Sequence, residues 1–209
     1  MKILIGCESS GIIREQFRKL GHDAWSCDIL PADDDSPFHI QADLREVLDD
    51  SYDMAGFHPP CTFLSVSGMH WNNRGRGWER TEEALAFVKW CMSHKLPWYL
   101  ENPISIISTK IRKPDQIIQP YDFGDDASKK TCLWLHRLPP LVATGRIAGR
   151  ITSDGKERWA NQTDSGQNKL APSKTRAKER SKSYPGIARA MAIQWGDLNF
   201  SEEVFKLTS

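Results

Sequence analysis

Residues 52–65 read Tyr-Asp-Met-Ala-Gly-Phe-His-Pro-Pro-Cys-Thr-Phe-Leu-Ser. Tyr52 to Phe57 has the small and apolar character of a short buried strand. His58-Pro59-Pro60 ends it, because consecutive prolines withdraw ladder donors and hold the backbone extended. Cys61 follows on that stiffened segment. In open α/β sheets, chemistry gathers on loops at the carboxyl ends of strands. Working outward, Lys2 to Gly6 reads as a first buried strand and Ile12 to Leu20 as a helix ending at Gly21. Asp23 to Cys27 is a second strand with Asp28 at its end, and Asp43 to Leu48 a short helix. A helix is expected over Thr81 to His94 with Thr81 as its cap, then a strand over Pro97 to Leu100. Alternating strands and helices of this kind predict right-handed crossovers, and so an α/β fold whose mostly parallel sheet carries helices on both faces.

The second half is less regular. Lys130 to His136 reads as a strand stopped by Leu138-Pro-Pro, and Tyr184 to Trp195 as a closing helix. Between them, residues 144–183 are polar, glycine-bearing and basic, which predicts a long loop or a small insertion, partly mobile. The expected division is a catalytic core over 1–140, a basic insertion over 141–183 and a returning helical segment over 184–209.

Composition bounds the function. The chain has 209 residues with 39% hydrophobic and 26% charged, as in an ordinary soluble domain. A formal net charge of +1 does not by itself announce a nucleic-acid binder. There is no apolar run of membrane-spanning length, so no membrane partner is expected. The apolar start Met1-Lys-Ile-Leu-Ile-Gly is too short for a signal peptide. Five cysteines without framework spacing indicate reduced thiols and a cytoplasmic setting. Without a C-x-x-C pair or a histidine cluster, no metal centre is expected.

Several residues carry candidate chemistry. Gly6, Cys7, Glu8, Ser9, Ser10 and Gly11 form a strand-to-helix turn, either an ordinary βα connection or the cradle of a cofactor. Glu8 would repel a pyrophosphate and attract a cationic amino-acid end. Asp28 is placed to accept from ribose hydroxyls or to cap a turn, and Asp43 to accept from an adenine amine or to cap a helix. Cys61 reads as a nucleophile, whereas Cys7, Cys27, Cys91 and Cys132 lie in or beside apolar elements. Glu101, in Tyr99-Leu-Glu-Asn-Pro, is either a solvated loop carboxylate or, if enclosed, a carboxyl that keeps a proton at neutral pH. A thiolate adding to C6 of a pyrimidine while an acid supports N3 makes C5 able to attack an electrophilic methyl group.

These motifs resemble the DNA cytosine-C5 methyltransferases in a small, phage- or prophage-like form. His58-Pro-Pro-Cys61 with Ser65 is similar to the family's Pro-Cys motif and its downstream Phe-Ser, and Glu101-Asn-Pro to its Glu-Asn-Val. The resemblance implies a Rossmann-like fold dependent on S-adenosylmethionine, with Cys61 as nucleophile, Glu101 on cytosine N3 and Asn102 bracing the loop. It implies cofactor contacts from Ile5 to Gly11, Asp28, Ile29, Asp43, Leu44, Pro59, Tyr184 and Gly186. Lys129, Lys130 and Thr131 fall where the family has a Gln-x-Arg-x-Arg strand, and Lys130 is carried over as the basic residue there. The turn lacks the family's Phe-x-Gly-x-Gly-Gly, and proline replaces valine after Glu-Asn. The chain is also much shorter than a typical member, which implies a reduced recognition domain, helped by a specificity partner or a second copy.

DNA is the expected substrate. Ser65, Arg74 and Arg76 beside the nucleophile, and Arg176 and Arg180 in the basic insertion, are the candidate contacts. The loop over 68–77, which includes His70 and Trp71, is placed to close over a base flipped out of the duplex. The alternatives are the same chemistry on a nucleotide, on RNA or with a modified cofactor, and a non-catalytic DNA- or cofactor-binding module.

Overall fold

Strand β1 (Lys2–Gly6) decides the architecture by facing two ways. Ile3 and Ile5 point into one apolar cluster and Leu4 into another, as the two-residue period of a strand requires. The computed structural model describes residues 1–66, 72–75, 77–173 and 176–197. The expected contact Arg76, the loop residues His70 and Trp71, and residues 198–209 lie outside them.

A strand covered on both faces needs neighbours on both edges. β1 pairs in parallel with β2 (Asp23–Asp28) and with β4 (Met54–Phe57). β2 pairs with β3 (His39–Gln41) and β4 with β5 (Trp98–Pro103), all parallel. β7 (Thr131–His136) then runs antiparallel to β5, and β6 (Gln116–Ile118) antiparallel to β7. The seven-stranded order is β3-β2-β1-β4-β5-β7-β6, an α/β sheet of Rossmann-like kind. The helices divide between its faces: α1 (Ile12–Lys19) and α6 (Pro185–Trp195) pack on one side with Ile13, Phe17, Ile187, Met191 and Trp195. On the other side lie α2 (Leu44–Val47), α3 (Glu79–Cys91) and α4 (Ile107–Lys110), with Leu44, Val88, Cys91 and Ile107. Full burial of a ring such as Trp195 is worth roughly 2–3 kcal/mol. Its indole N–H still finds a partner, the Pro139 carbonyl at 2.9 Å.

Several expectations need correction. Thr81 does not cap α3; it is buried inside the helix, where its hydroxyl donates to the Phe63 carbonyl (3.1 Å) and accepts from Asn72 (2.8 Å). β5 does not stop at Leu100 but continues to Pro103, because β7 supplies partners for Glu101, Asn102 and Pro103. Of the two readings of 144–183, the small insertion is the one found. It contains the hairpin β8 (Arg150–Ile151) and β9 (Glu157–Arg158) and the helix α5 (Arg176–Ser181). Tyr121 stacks on Trp159 with ring centroids 3.9 Å apart, and Arg146 joins Asp122 and Glu157. The segment is pinned to the core at both ends. Val142 and Gln194 exchange two hydrogen bonds of 2.8 Å, and the Gly186 N–H donates to Asp125 (2.9 Å). Among the described residues, no helix is long and apolar enough to cross a membrane, and no group of three or more His, Cys, Asp or Glu is placed to hold a metal ion.

Candidate active site

The chain leaves β1 toward β2 and β3, then returns to the other edge of β1 as β4. Strand order reverses there, at the carboxyl ends of β1 and β4, which is where open α/β sheets place their ligands. The loops after β1, β2 and β4 converge on this edge. Because β7 is antiparallel, the residues that precede it arrive at the same edge, with Thr131 beside Pro103.

The turn after β1 is drawn tightly across to β2. Cys7 adopts a left-handed backbone (φ 59°), and the N–H groups of Cys7 and Glu8 both donate to the Cys27 carbonyl, at 2.7 and 3.3 Å. Gly11, at φ 68°, starts α1, and a Cβ there would lie 2.7 Å from an Asp34 carboxylate oxygen. Glu8 is only 5% exposed. Its Oε1 accepts from the Ile13 N–H (2.9 Å) and the Ser10 hydroxyl (3.0 Å), while Oε2 is enclosed without a partner. Burial pushes the Glu8 carboxyl up, against the pull of His58, the Ile13 N–H, Ser10 and Arg14. Ser9 is held by Asp33, whose N–H donates to the Ser9 carbonyl (2.8 Å) and whose Oδ1 accepts from the Ser9 hydroxyl (3.3 Å). Lys178 of α5 reaches the same oxygen at 2.7 Å and holds the Asp33 carboxyl below its ordinary value.

At the next strand ends, the bland readings are realised at least in part. Asp28 Oδ1 accepts from the Leu30 N–H (3.0 Å), a turn cap that commits one of its two oxygens. Ile29 is 71% exposed. Asp43 caps α2 through the Arg45 N–H (2.9 Å), and the Arg45 guanidinium takes both of its oxygens, holding the carboxyl down to about 2. Leu44 packs over Gly6, where a Cβ would lie 2.8 Å from a Leu44 methyl group. Tyr184 and Gly186 sit beside Asn161 and Asp125. Among the described residues, no hydrogen bond joins them to the Cys7–Gly11 turn.

The loop after β4 is tied to β5. Asn102 is 1% exposed, and its Nδ2 donates to the Pro59 carbonyl at 2.8 Å; its Oδ1 is enclosed and unpartnered. Cys61 opens a 3₁₀ turn (Cys61–Phe63), and its carbonyl accepts from the Leu64 and Ser65 N–H groups. Ser65 bridges to Ser105 beyond β5. The Cys61 thiol is half-buried. Burial and the Glu101 carboxylate push it up, while Lys129 and Arg180 act the other way. Burial also raises the thiols of Cys27 and Cys132, each to about 11.

Glu101 departs from the expectation that enclosure would leave it protonated. Burial does push its carboxyl up, but Lys129 and His58 outweigh that and hold it below the ordinary value. His58 Nδ1 lies 3.3 Å from Glu101 Oε2, and His58 Nε2 lies 3.0 Å from the Tyr99 hydroxyl. Lys129, rather than Lys130, is the base that acts here, since Lys130 is exposed just before β7. Gln119 accepts from the Lys129 N–H (2.9 Å), and Asn161 brackets Ser128 with two bonds of 3.0 Å. Arg74 is exposed. Arg176, with an enclosed and unpartnered Nε, lies on α5 with Arg180, whose charge reaches Cys61. A groove of ≈ 580 Å³ runs between Pro59-Pro60 and α3, past Phe63, Glu83 and Phe87, but neither Cys61 nor Glu101 lines it.

Three of these residues were missing from the sequence-based site: His58, Tyr99 and the buried Arg14, which is paired with Asp34 and Ser26. His58 and Tyr99 stand two residues from Gly56 and Glu101 respectively, the spacing that puts residues on one face of a strand. No protein-family model matches the chain, and no curated protein matches it.

Proposed function

We propose that this protein transfers a methyl group from S-adenosylmethionine to C5 of cytosine in DNA through a covalent adduct between Cys61 and C6. The observation that carries the proposal is the meeting of Cys61, Glu101 and Lys129 at one sheet edge, close enough for each charge to act on the others. At rest Cys61 holds a proton and Glu101 does not. Moving that proton from thiol to carboxylate makes the two species the reaction needs, a thiolate and an acid, with no change in net charge. The thiolate then bonds to C6 while the Glu101 proton is shared with N3, and electron density moves to C5. Once C5 has taken the methyl group and the donor has left as a neutral thioether, a base removes the C5 proton, the C6–S bond breaks, Cys61 leaves as thiolate and the N3 proton returns to Glu101.

The residues around the β1 turn fit the donor. The enclosed Glu8 Oε2 lacks a partner and suits an ammonium group. The uncommitted oxygen of Asp28 suits a ribose hydroxyl, and exposed Ile29 offers an apolar face to an adenine ring. Asp43 does not fit an adenine amine, because Arg45 already occupies its carboxylate. When bound, S-adenosylmethionine supplies an electrophilic methyl group on a sulfonium, and this chain's own part is to orient and to move protons.

DNA contact on this proposal falls to Arg180, Arg176, Arg74 and Lys129, because other bases of the insertion are engaged internally. Arg146 pairs with Asp122 and Glu157, Arg150 with Asp164, and Lys156 with Asp154. That engagement favours, as a second reading, the same chemistry on a smaller nucleic-acid substrate. Labelled methyl transfer to duplex DNA, lost in Cys61→Ala, is the expected result. Transfer to none of duplex DNA, single-stranded DNA and RNA refutes the reaction. A shallow dependence of activity on salt, where a polymer substrate gives a steep one, selects the second reading.

A further inference from the structure

Gly56 and Tyr99 are register partners on adjacent parallel strands, and His58 and Glu101 continue the same two rows. The absent Cβ of Gly56 is what lets Tyr99 in, since a Cβ there would lie 2.5 Å from its Cζ. The fully buried Tyr99 then directs its hydroxyl to His58 Nε2.

Both neighbours of the ring select the same tautomer. Glu101 is a carboxylate and can only accept, so Nδ1 must carry the hydrogen at that contact. The Tyr99 hydroxyl has no other partner among the described residues, so it donates to a bare Nε2 or leaves its own proton unpaired in the interior. Nδ1–H therefore bonds Glu101 Oε2, while Oε1 takes no hydrogen bond among the described residues.

We propose that His58 is the positioning residue of this site: locked by Tyr99 as the Nδ1–H tautomer, it anchors Glu101 Oε2 and leaves Oε1 as the oxygen that meets the substrate. Only the identity of what meets Oε1 rests on the methyl-transfer reading. The groups facing the ring are Tyr99 and Glu101 from β5, Glu8 from the β1 turn and, through Glu101, Lys129 and Cys61.

The test is nitrogen-15 NMR of the full chain with labelled histidines, the His58 signals being assigned by their loss in His58→Asn. The expected spectrum at neutral pH has a protonated Nδ1 and a bare Nε2, with the populations shifting toward Nε2–H in Tyr99→Phe. In the transfer assay, Tyr99→Phe lowers kcat by up to about 100-fold with KM for DNA unchanged, the loss that a misplacement of about 1 Å can cause. His58→Asn, which can still place an N–H near the Nδ1 position, retains more activity than His58→Gln. A wild-type ring found as the Nε2–H tautomer overturns the proposal. So does a Tyr99→Phe ring whose tautomer does not move. The expected tautomer in a protein without methyl transfer supports the lock and refutes the reaction.

Discussion

Asn102 joins the two strands that carry Cys61 and Glu101, and its substitution gives a sharp test. The side chain is 1% exposed, with Nδ2 committed to the Pro59 carbonyl at 2.8 Å and Oδ1 enclosed without a partner. Asn102→Ala leaves the Pro59 carbonyl unmet, at a cost of about 1–3 kcal/mol, but also removes the unpartnered Oδ1, whose burial carried a similar cost. What remains is chiefly the small cavity, so the net loss is about 1 kcal/mol. Asn102→Asp keeps the shape, deletes the donor and sets a carboxylate oxygen against the carbonyl. A buried charge left without compensation costs about 3–5 kcal/mol. The conservative change is therefore the worse one, by about 2 kcal/mol or more on these figures. Urea denaturation at neutral pH measures the difference directly. The gap narrows as pH falls, because protonation removes the buried charge. Both variants also loosen the Pro59–Cys61 segment and so change the alkylation rate of Cys61. Asn102→Asp proving as stable as Asn102→Ala at neutral pH would falsify this account of the brace.

Three further expectations follow from other contacts. Gly56→Ala forces the Tyr99 ring aside and destabilises by about 1–3 kcal/mol; combined with Tyr99→Phe it costs less than the sum of the two, as read from a double-mutant cycle of urea midpoints. Glu101→Gln removes a negative charge that raises the Cys61 thiol, so the pH midpoint of Cys61 alkylation moves down, and Lys129→Met moves it up; no movement in either refutes the charge coupling. Asp43 is depressed to about 2, so its contribution to stability is fully present above the ordinary carboxylate value of about 3.9 and is lost as pH falls through about 2. Asp43→Asn therefore differs from wild type above about pH 4 and converges with it near pH 2, by a small amount because the side chain is 32% exposed.

The parallel half of the fold was legible because each element there carries a complete local signal. β1, α1, β2 and α3 combine apolar periodicity with a polar or glycine-bearing boundary. β3 and β6, at three residues each, are too short to show a period and exist only because a neighbour supplies the ladder. The sequence puts Glu101 at the end of its strand with Asn102 and Pro103 beyond it, whereas β7, more than 25 residues later, keeps all three in the sheet. Lys129 and Lys130 are indistinguishable as types; the side each takes is settled by the Gln119 and Asn161 contacts, which join distant parts of the chain. The charge state of Glu101 stays open in the sequence for the same reason. Neither its enclosure nor the Lys129 that overrules it, which comes from the segment just before β7, can be read from its local sequence.

The pinning of residues 143–183 between Val142–Gln194 and Gly186–Asp125 has a consequence for descent and for engineering. Both exits of the segment are fastened to a finished scaffold, and lengthening such an excursion twofold costs only about 0.6 kcal/mol. The segment can therefore be exchanged as a cassette without refolding the core. A replacement must bring its own equivalents of Asn161, which steadies the approach of Lys129, and of Lys178, which latches onto Asp33.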